Sequence, residues 1–372
     1  MKLGELCLLF TDGDWIESKD QSDSGIRLIQ TGNIGNGEFI YKNDKAKYIS
    51  EDTFKRLNCT EVFLDDILIS RLPEPVGRGC IIPDIGERMI TAVDCTICRV
   101  NESLIDRKYF CYFLESNAYK TQLEQHVTGT TRKRISRKNL SSVEIDIPEQ
   151  AKQKEVVYKL DRLKKIIQNY NRELDLLDEL VRARFVEMFG DVGMGLFNYQ
   201  TCKLGDVAKV GSSHRVFTTE FVESGIPFYR GTEIGELANG KKPINPYYIS
   251  EEHYKRLAED ETKPLIGDLL MPSICNKGQV WMVDSEEPFY YKDGRVLCIS
   301  PNKEVFNSRF LQYFMREKTL VEYPKIGSGS TFAEFKIFLL KDMDVLVPPL
   351  ELQNQFASFV QEIDKSQFVL HQ

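Results

Sequence analysis

The chain has 372 residues, of which 42% are hydrophobic and 11% aromatic, so it can fill folded cores and wholesale disorder is excluded. Its apolar runs are far shorter than the roughly 18 residues that span a bilayer, and its first residues lack a signal-peptide pattern, so we expect a cytoplasmic protein without membrane segments. Nine cysteines in so long a chain predict reduced thiols rather than a secreted disulfide framework, and the net charge of −7 on average argues against nucleic-acid binding.

An internal repeat divides the chain into two similar copies. Tyr48-Ile49-Ser50-Glu51 returns 200 positions later as Tyr248-Ile249-Ser250-Glu251, and Gln153 returns as Gln353. A repeat of this length duplicates a whole domain rather than a solenoid unit. We therefore expect two similar mixed α/β domains at residues 1–148 and 191–348, with helical segments at 149–190 and 349–372.

Apolar, β-branched runs bounded by Gly and Pro predict strands in the first copy. They are Ile67-Leu68-Ile69, Cys80-Ile81-Ile82 and Val143 to Ile147. A helix is expected to begin after Asp106, and its counterpart in the second copy after Asn307.

Polar side chains between these strands are candidates for reading base edges. Gln, Asn and Arg can form the bidentate pairs that distinguish adenine from guanine in the major groove. The candidates are Gln30, Thr31, Asn33, Arg71 and Arg78 in the first copy, and Arg230, Thr232 and Lys277 at the corresponding places in the second. Different residues on similar scaffolds are expected where two modules read different sequences. The alternative for each residue is a turn cap or a surface ion pair.

Residues 128–138 concentrate positive charge against the acidic average. Arg132, Lys133, Arg134, Arg137 and Lys138 stand beside the hydroxyls of Thr130 and Thr131, a composition suited to gripping phosphates. The aligned stretch 327–336 loses most of the cations but keeps Ser328, Ser330 and Lys336. If both copies bind similar backbones, they must use different residues. The alternative is a solvated basic loop.

A heptad-like apolar seam predicts a long helix from about Glu149 to Phe189, ended by Gly190 and roughly 60 Å long. The seam residues are Val156, Leu160, Leu163, Ile167, Tyr170, Leu174, Leu177 and Val181. Phe356, Val360, Ile363 and Leu370 fall at corresponding positions and predict an antiparallel partner helix. That helix is expected to cover about half of the seam and to leave Leu174, Leu177 and Val181 for another partner, such as a second copy of the chain.

Motifs that carry chemistry are incomplete. Asn245-Pro246-Tyr247-Tyr248 resembles the Asn-Pro-Pro-Tyr element of amino-methyltransferases but lacks the second proline, and no glycine-rich cofactor loop precedes it. Cys95 and Cys98 have metal-ligand spacing, but they fall in a predicted strand that sends them to opposite faces. We therefore predict no catalytic residue, no metal site and no cofactor in this chain.

The sequence resembles the specificity subunit of type I restriction-modification enzymes over essentially its whole length. The resemblance rests on the two-copy layout, on Asp12-Gly13-Asp14-Trp15-Ile16, on the run from Gly25 to Gly35, on Leu68 to Pro73, and on the Pro-then-Gln start of the long helix. It implies two target recognition domains that each read half of a split double-stranded DNA site, with paired helices as a ruler. It also implies two methyltransferase subunits that bring S-adenosylmethionine, and a motor-nuclease restriction subunit.

The resemblance implies a non-catalytic DNA specificity subunit, which explains the missing active site. The short last helix departs from the family pattern. Two alternatives of other classes are a self-contained DNA methyltransferase or nuclease and a DNA-independent assembly scaffold.

Overall fold

The structure is a computed structural model that describes residues 1–129, 133–259, 262–326 and 333–371, with side chains up to residue 366. The described chain forms two compact units, Met1–Gln168 and Asn169–Gln372. We call them the first and the second unit. The helix α5 (Gln150–Phe189) runs through the boundary between them.

The first unit is a mixed α/β fold. Its strands are β1 (Cys7–Asp12), β2 (Ile26–Ile29), β3 (Tyr48–Ile49), β4 (Glu61–Val62), β5 (Ile67–Ser70), β6 (Gly79–Ile81), β7 (Met89–Thr91) and β8 (Cys95–Val100). Its helices are α1 (Glu51–Leu57), α2 (Arg107–Glu115), α3 (Asn117–Glu124), α4 (Arg137–Ser141) and the first part of α5. The strands form two sheets, in the orders β1-β8-β5-β6 and β3-β2-β7-β4.

Both faces of the β1-β8-β5-β6 sheet are buried, because successive side chains of a strand point to opposite sides. Ile67, Ile69 and Cys98 pack with Phe110 of α2 in one core, whereas Leu68 and Cys95 belong to a second core. Cys95 and Cys98 therefore lie on opposite faces of β8, as predicted. All nine cysteines are free thiols.

The second unit repeats this arrangement. Its strands are β9 (Gly190–Asp191), β10 (Leu196–Phe197), β11 (Thr201–Lys203), β12 (Ala208–Gly211), β13 (Ile226–Tyr229), β14 (Tyr247–Ile249), β15 (Leu269–Pro272), β16 (Trp281–Met282), β17 (Tyr290–Tyr291), β18 (Val296–Pro301) and β19 (Asp344–Leu346). Its helices are α6 (Leu204–Val207), α7 (Gly231–Ala238), α8 (Glu251–Leu257), α9 (Ser308–Ile326), α10 (Ile337–Lys341) and α11 (Leu350–His371).

The sheet order β12-β18-β15-β16 corresponds to β1-β8-β5-β6, and β14-β13-β17 corresponds to β3-β2-β7, with no counterpart of β4 within the described ranges. β2 pairs in parallel with β7, and β13 pairs in parallel with β17. This confirms two similar α/β domains.

Repeated polar residues start the repeated helices. The Ser50 side chain accepts a hydrogen bond from the Thr53 backbone N–H at the start of α1, and Ser250 accepts one from His253 at the start of α8. The Asp106 carboxylate caps α2 in the same way, as the sequence predicted. Gly190, with a φ of 98°, ends α5, because a left-handed residue at this position favours glycine.

One predicted strand is absent from the described part of the first unit. Residues 143–145 pair with residues 1–3 through one antiparallel bridge, Lys2 with Glu144, and through backbone hydrogen bonds that join Val143 to Leu3 and Ile145 to Met1. The corresponding β19 pairs with β11 over three residues. In the first unit the prediction therefore holds only for this short contact with residues 1–3, because the backbone pairing does not extend to residues 146 and 147.

The predicted long helix is confirmed as α5, and α11 packs against its second-unit half. The Phe356 ring lies 5.4 Å from the ring of Phe185 and 5.7 Å from that of Phe189. Further along α11, burial raises the pKa of Asp364, and the negative charge of Asp178 adds to that shift. Later residues of α11 therefore lie beside earlier residues of α5, so these segments are antiparallel.

The prediction of which seam residues lack a partner was wrong. Val181 is only 7% exposed, and Leu174 and Leu177 are half-buried. The exposed seam residues are instead Leu163, Ile167 and Tyr170, at 54%, 58% and 46%. The reason is that α11 starts from the second unit's core, where Phe356 and Val360 are buried, and so reaches the end of α5 first. Val156, Leu160 and Ile363 are half-buried, and the side chain of Leu370 lies outside the described part.

Candidate nucleic-acid interface

The basic segment of the first unit spans a hairpin and the start of α4. Thr128 and Arg134 exchange two backbone hydrogen bonds of 3.0 and 2.9 Å, which close the loop between them. Lys133, Arg137 and Lys138 are exposed, and the side chain of Arg134 is 54% exposed. Thr130, Thr131 and Arg132 lie outside the described residues. The hairpin and the start of α4 therefore present cations to solvent, which is the geometry that phosphate contacts require.

The carboxylates near this hairpin hold its cations only loosely. The Arg134 guanidinium lies 3.7 Å from Asp94, and that of Arg137 lies 4.0 Å from Asp12. Exposed pairs at such distances contribute about 1 kcal/mol or less. Both guanidinium groups can therefore exchange their carboxylate for a phosphate oxygen at small cost.

Arg71 fixes the base of the hairpin from inside the protein. Its side chain is buried, and its guanidinium donates to the backbone carbonyls of Val93, at 2.5 Å, and Ile135, at 3.3 Å. Its Nε forms an ion pair with Asp12 at 3.2 Å, without hydrogen-bond alignment. The Arg71 backbone carbonyl in turn accepts from the Ile135 N–H. Arg71 thus positions the hairpin.

Two other sequence candidates of the first unit are also held internally. Arg78 donates to four backbone carbonyls, those of Thr31, Ile34, Leu72 and Pro75, at 2.6 to 3.0 Å. The buried Asn33 amide accepts from the backbone N–H of Gln30 and donates to the carbonyl of Ile40. Because their polar atoms are occupied, Arg78 and Asn33 shape the turn that carries the half-buried Gln30 and Thr31.

In the second unit, the Arg230 candidate lies at the start of α7. Its guanidinium pairs with Glu233 at 2.5 Å and lies over the Tyr247 ring, 4.6 Å from the centroid. Burial opposes ionisation of Glu233, but the hydrogen bonds from Arg230 outweigh it and lower the pKa of that carboxyl. The side chain of Arg230 is 38% exposed, and Thr232 and Lys277 are exposed. Arg230 therefore stays partly accessible on an aromatic platform.

Two cations of the second unit were missed by the sequence reasoning. Lys292 and Arg295, in the turn between β17 and β18, line a cavity of about 440 Å³ together with Arg230 and Thr232. They stand in a short turn with Asp293, so no run of cations marks them in the sequence. The signal that could have found Arg295 is the repeat, because the corresponding residue of the first copy is Asp94, which has the opposite charge. Lys336 is exposed, whereas Ser328 and Ser330 lie outside the described residues.

The described residues contain no cluster of His, Cys, Asp and Glu side chains arranged to hold a metal ion. Among them, no helix has the length and apolar character needed to cross a membrane.

Comparison with known proteins places these features in a family. A family model described as Type I restriction modification DNA specificity domain matches residues 1–178 and again 198–372. The Type I restriction enzyme MjaIX specificity subunit of Methanocaldococcus jannaschii is 20% identical over 370 residues, which cover 93% of this chain and 81% of that protein.

Two solved structures share the fold. One comes from work on complex assembly and conformational transition of the type I R-M system, with a TM-score of 0.58 and 16% identity. The other is the type I restriction-modification S subunit from M. genitalium, with a TM-score of 0.53 and 14% identity. Each match covers 100% of this chain and 90% of the other.

Proposed function

This chain belongs to the type I restriction modification DNA specificity family, and on that basis we propose that it selects the DNA sequence on which its partner subunits act. Each unit reads one half of a bipartite double-stranded target. One observation carries this proposal: the two units share a backbone framework but present different polar side chains at matching positions. The half-buried Gln30 follows β2, and Arg230, whose side chain is 38% exposed, follows the equivalent strand β13. This is what two readers of different half-sites require.

We assign the residues two kinds of role. Lys133, Arg134, Arg137 and, on sequence grounds, Thr130, Thr131 and Arg132 contact the phosphate backbone. Arg71, Arg78 and Asn33 hold the loops, and Gln30, Thr31, Arg230, Thr232, Lys277 and Lys336 remain candidates for direct contacts, with Ser328 and Ser330 on sequence grounds alone. Phosphate contacts fix register, and base contacts choose sequence.

The division of the chain follows from these roles. Residues 1–148 and 191–348 serve as target recognition domains, and residues 149–190 and 349–372 as the helices that set the distance between half-sites. The exposed seam around Leu163, Ile167 and Tyr170 is available to a partner helix, including one from a second copy of the chain.

The chain itself performs no reaction in this proposal. Two methyltransferase subunits bind S-adenosylmethionine and modify adenine, and a motor-nuclease subunit joins them on unmodified DNA, in the cytoplasm. Partner surfaces that help to enclose the duplex would supply positive charge that this acidic chain lacks on average.

Methylome sequencing of cells with and without this chain tests the proposal. We expect deletion to remove one bipartite adenine-methylation motif and complementation to restore it. An unchanged methylome would leave the DNA-independent scaffold as the better account. Methyl transfer by the purified chain alone would instead favour the self-contained enzyme.

A further inference from the structure

The two units contain the same ion pair with its charges exchanged. In the first unit, Arg134 on the hairpin pairs with Asp94 on the turn before β8. In the second unit, Glu334 takes the place of Arg134, and Arg295, on the turn before β18, takes the place of Asp94. The cation has therefore moved from the hairpin side to the turn side.

The backbone shows that these positions are equivalent. The N–H of Ile135, next to Arg134, donates to the carbonyl of Arg71 at 3.2 Å, and the N–H of Arg71 donates to the carbonyl of Asp94 at 2.8 Å. In the second unit, Phe335 donates to Ser273 at 2.7 Å, and Ser273 donates to Arg295 at 2.9 Å. The same chain of hydrogen bonds connects Ile135 or Phe335 with the strand end and the turn in both units.

The two cations are equally accessible although they stand on opposite sides. The side chain of Arg295 is 55% exposed and that of Arg134 is 54% exposed. Their carboxylate partners are more enclosed, at 19% for Glu334 and 33% for Asp94. In each pair the guanidinium thus faces solvent, where a phosphate could reach it, and the carboxylate faces inward.

Other cations gather around Arg295. Lys336 is 55% exposed and shares the Glu334 carboxylate, at 2.6 Å. The ammonium group of Lys292 contacts no carboxylate within the described ranges, although Asp293 follows it in the chain. The small Ser273 stands where the first unit has Arg71, and it lines the cavity of about 440 Å³ beside Arg230, Lys292 and Arg295. Three cations thus border one opening.

We propose that Arg295, assisted by Lys292 and Lys336, is the phosphate-binding centre of the second unit. It contacts the DNA backbone from the turn before β18, as Arg134 and its neighbours do in the first unit from the hairpin. This inference rests on the proposed function, and it assigns the DNA backbone contact that the cation-poor stretch 327–336 lacks. Glu334 orients the guanidinium and does not itself contact DNA.

Two charge-removing substitutions separate this role from a structural one. Arg295→Gln and Glu334→Gln break the same ion pair, so a purely structural pair predicts that both variants change stability and DNA affinity alike. We expect Arg295→Gln to weaken binding about tenfold and to reduce the salt dependence by about one phosphate contact. Glu334→Gln leaves the cation in place, and we expect it to keep or increase affinity.

We measure the DNA affinity of the full chain assembled with its methyltransferase subunits. The duplexes contain or lack the motif identified by methylome sequencing, and the salt concentration is varied. Lys303→Gln is the matched control, since Lys303 is an exposed cation beyond the other end of β18. Thermal unfolding of each complex reports stability. We expect Lys303→Gln to bind as the wild type does.

The outcomes are distinguishable. If the wild-type complex discriminates the motif but Arg295→Gln and Glu334→Gln bind alike, this inference fails and the proposed function stands. If the wild-type complex does not discriminate, both fail. As a second readout, neutral methylphosphonate linkages are placed singly along both half-sites. If Arg295 contacts one phosphate, Arg295→Gln should bind as tightly as the wild type when that phosphate is neutral, and such positions should lie in one half-site only. If Arg295→Gln binds more weakly than the wild type at every neutral linkage, the inference is overturned.

Discussion

Gln153 and Gln353 make the same three hydrogen bonds in the two units. The Oε1 of Gln153 accepts from the backbone N–H of Asp106 at 2.7 Å, and that of Gln353 accepts from Asn307 at 2.9 Å. Each Nε2 donates to the proline carbonyl five residues earlier, at 2.8 Å, and to a carbonyl in the loop before α2 or α9. One buried amide thus ties the start of each spacer helix to its domain.

Replacing Gln353 with Leu should lower the free energy of unfolding by about 2 to 3 kcal/mol, because it leaves a buried backbone N–H and two carbonyls without a partner. Chemical unfolding measures the effect. Gln355→Leu, at an exposed site on the same helix, is the control and should change little. Equal effects of the two substitutions would show that the amide bonds do not contribute.

Removing a cation of the hairpin or of the start of α4 should weaken DNA binding irrespective of sequence. We expect Lys133→Ala and Arg137→Ala each to reduce the slope of log affinity against log salt by about 0.9, as loss of one phosphate contact does. Lys55→Ala, an exposed cation on α1, serves as the control. A slope equal to that of the wild type in both variants would remove the hairpin from the interface.

Arg71→Met should lower the stability of the fold and should not change which bases are recognised. The substitution removes the buried guanidinium beside Asp12 and leaves the carbonyls of Val93 and Ile135 without its hydrogen bonds, so we expect the free energy of unfolding to fall by about 3 kcal/mol. Hydrogen exchange should rise in the hairpin around Ile135. Normal stability combined with an altered base preference in one half-site would identify Arg71 as a base reader instead.

Lengthening α5 should change the spacing of half-sites and leave their sequences intact. Seven residues inserted after Glu173 add two turns, about 10.5 Å, and nearly preserve the apolar phase. We expect the spacer of the methylated motif to grow by about three base pairs at 3.4 Å each. A seven-residue insertion after the exposed Gly86 controls for insertion itself. A motif with the original spacer would refute the role of the helix as a ruler.

The sequence predicts the framework well, because periodicity and repeats report it directly. The duplicated domains, the extent of α5 and the cap at Asp106 all follow from spacing and residue type. What covers an apolar face does not follow from its period, so the seam residues expected to lack a partner were the wrong ones: Val181 is buried and Ile167 is exposed. The apolar seam does not determine which end of α5 the second helix covers.

The roles of individual polar residues are harder to predict. Arg71, Arg78 and Asn33 have the right chemistry for base edges, yet each is engaged with backbone carbonyls inside the first unit. Residue type states what a side chain can bind, and only the fold states whether its polar atoms are already satisfied. The Arg295 site shows the converse, since its partner Glu334 lies 39 residues away in the chain.

The exchanged ion pair restricts how recognition modules can be recombined. A chimera that moved only the segment around Glu334 into the first unit would set Glu334 against Asp94, and the reverse graft would set Arg134 against Arg295. Like charges at such a contact repel. The segment that carries Arg134 or Glu334 is therefore best exchanged together with the turn that carries its partner, so a compatible cassette contains both segments and not one loop.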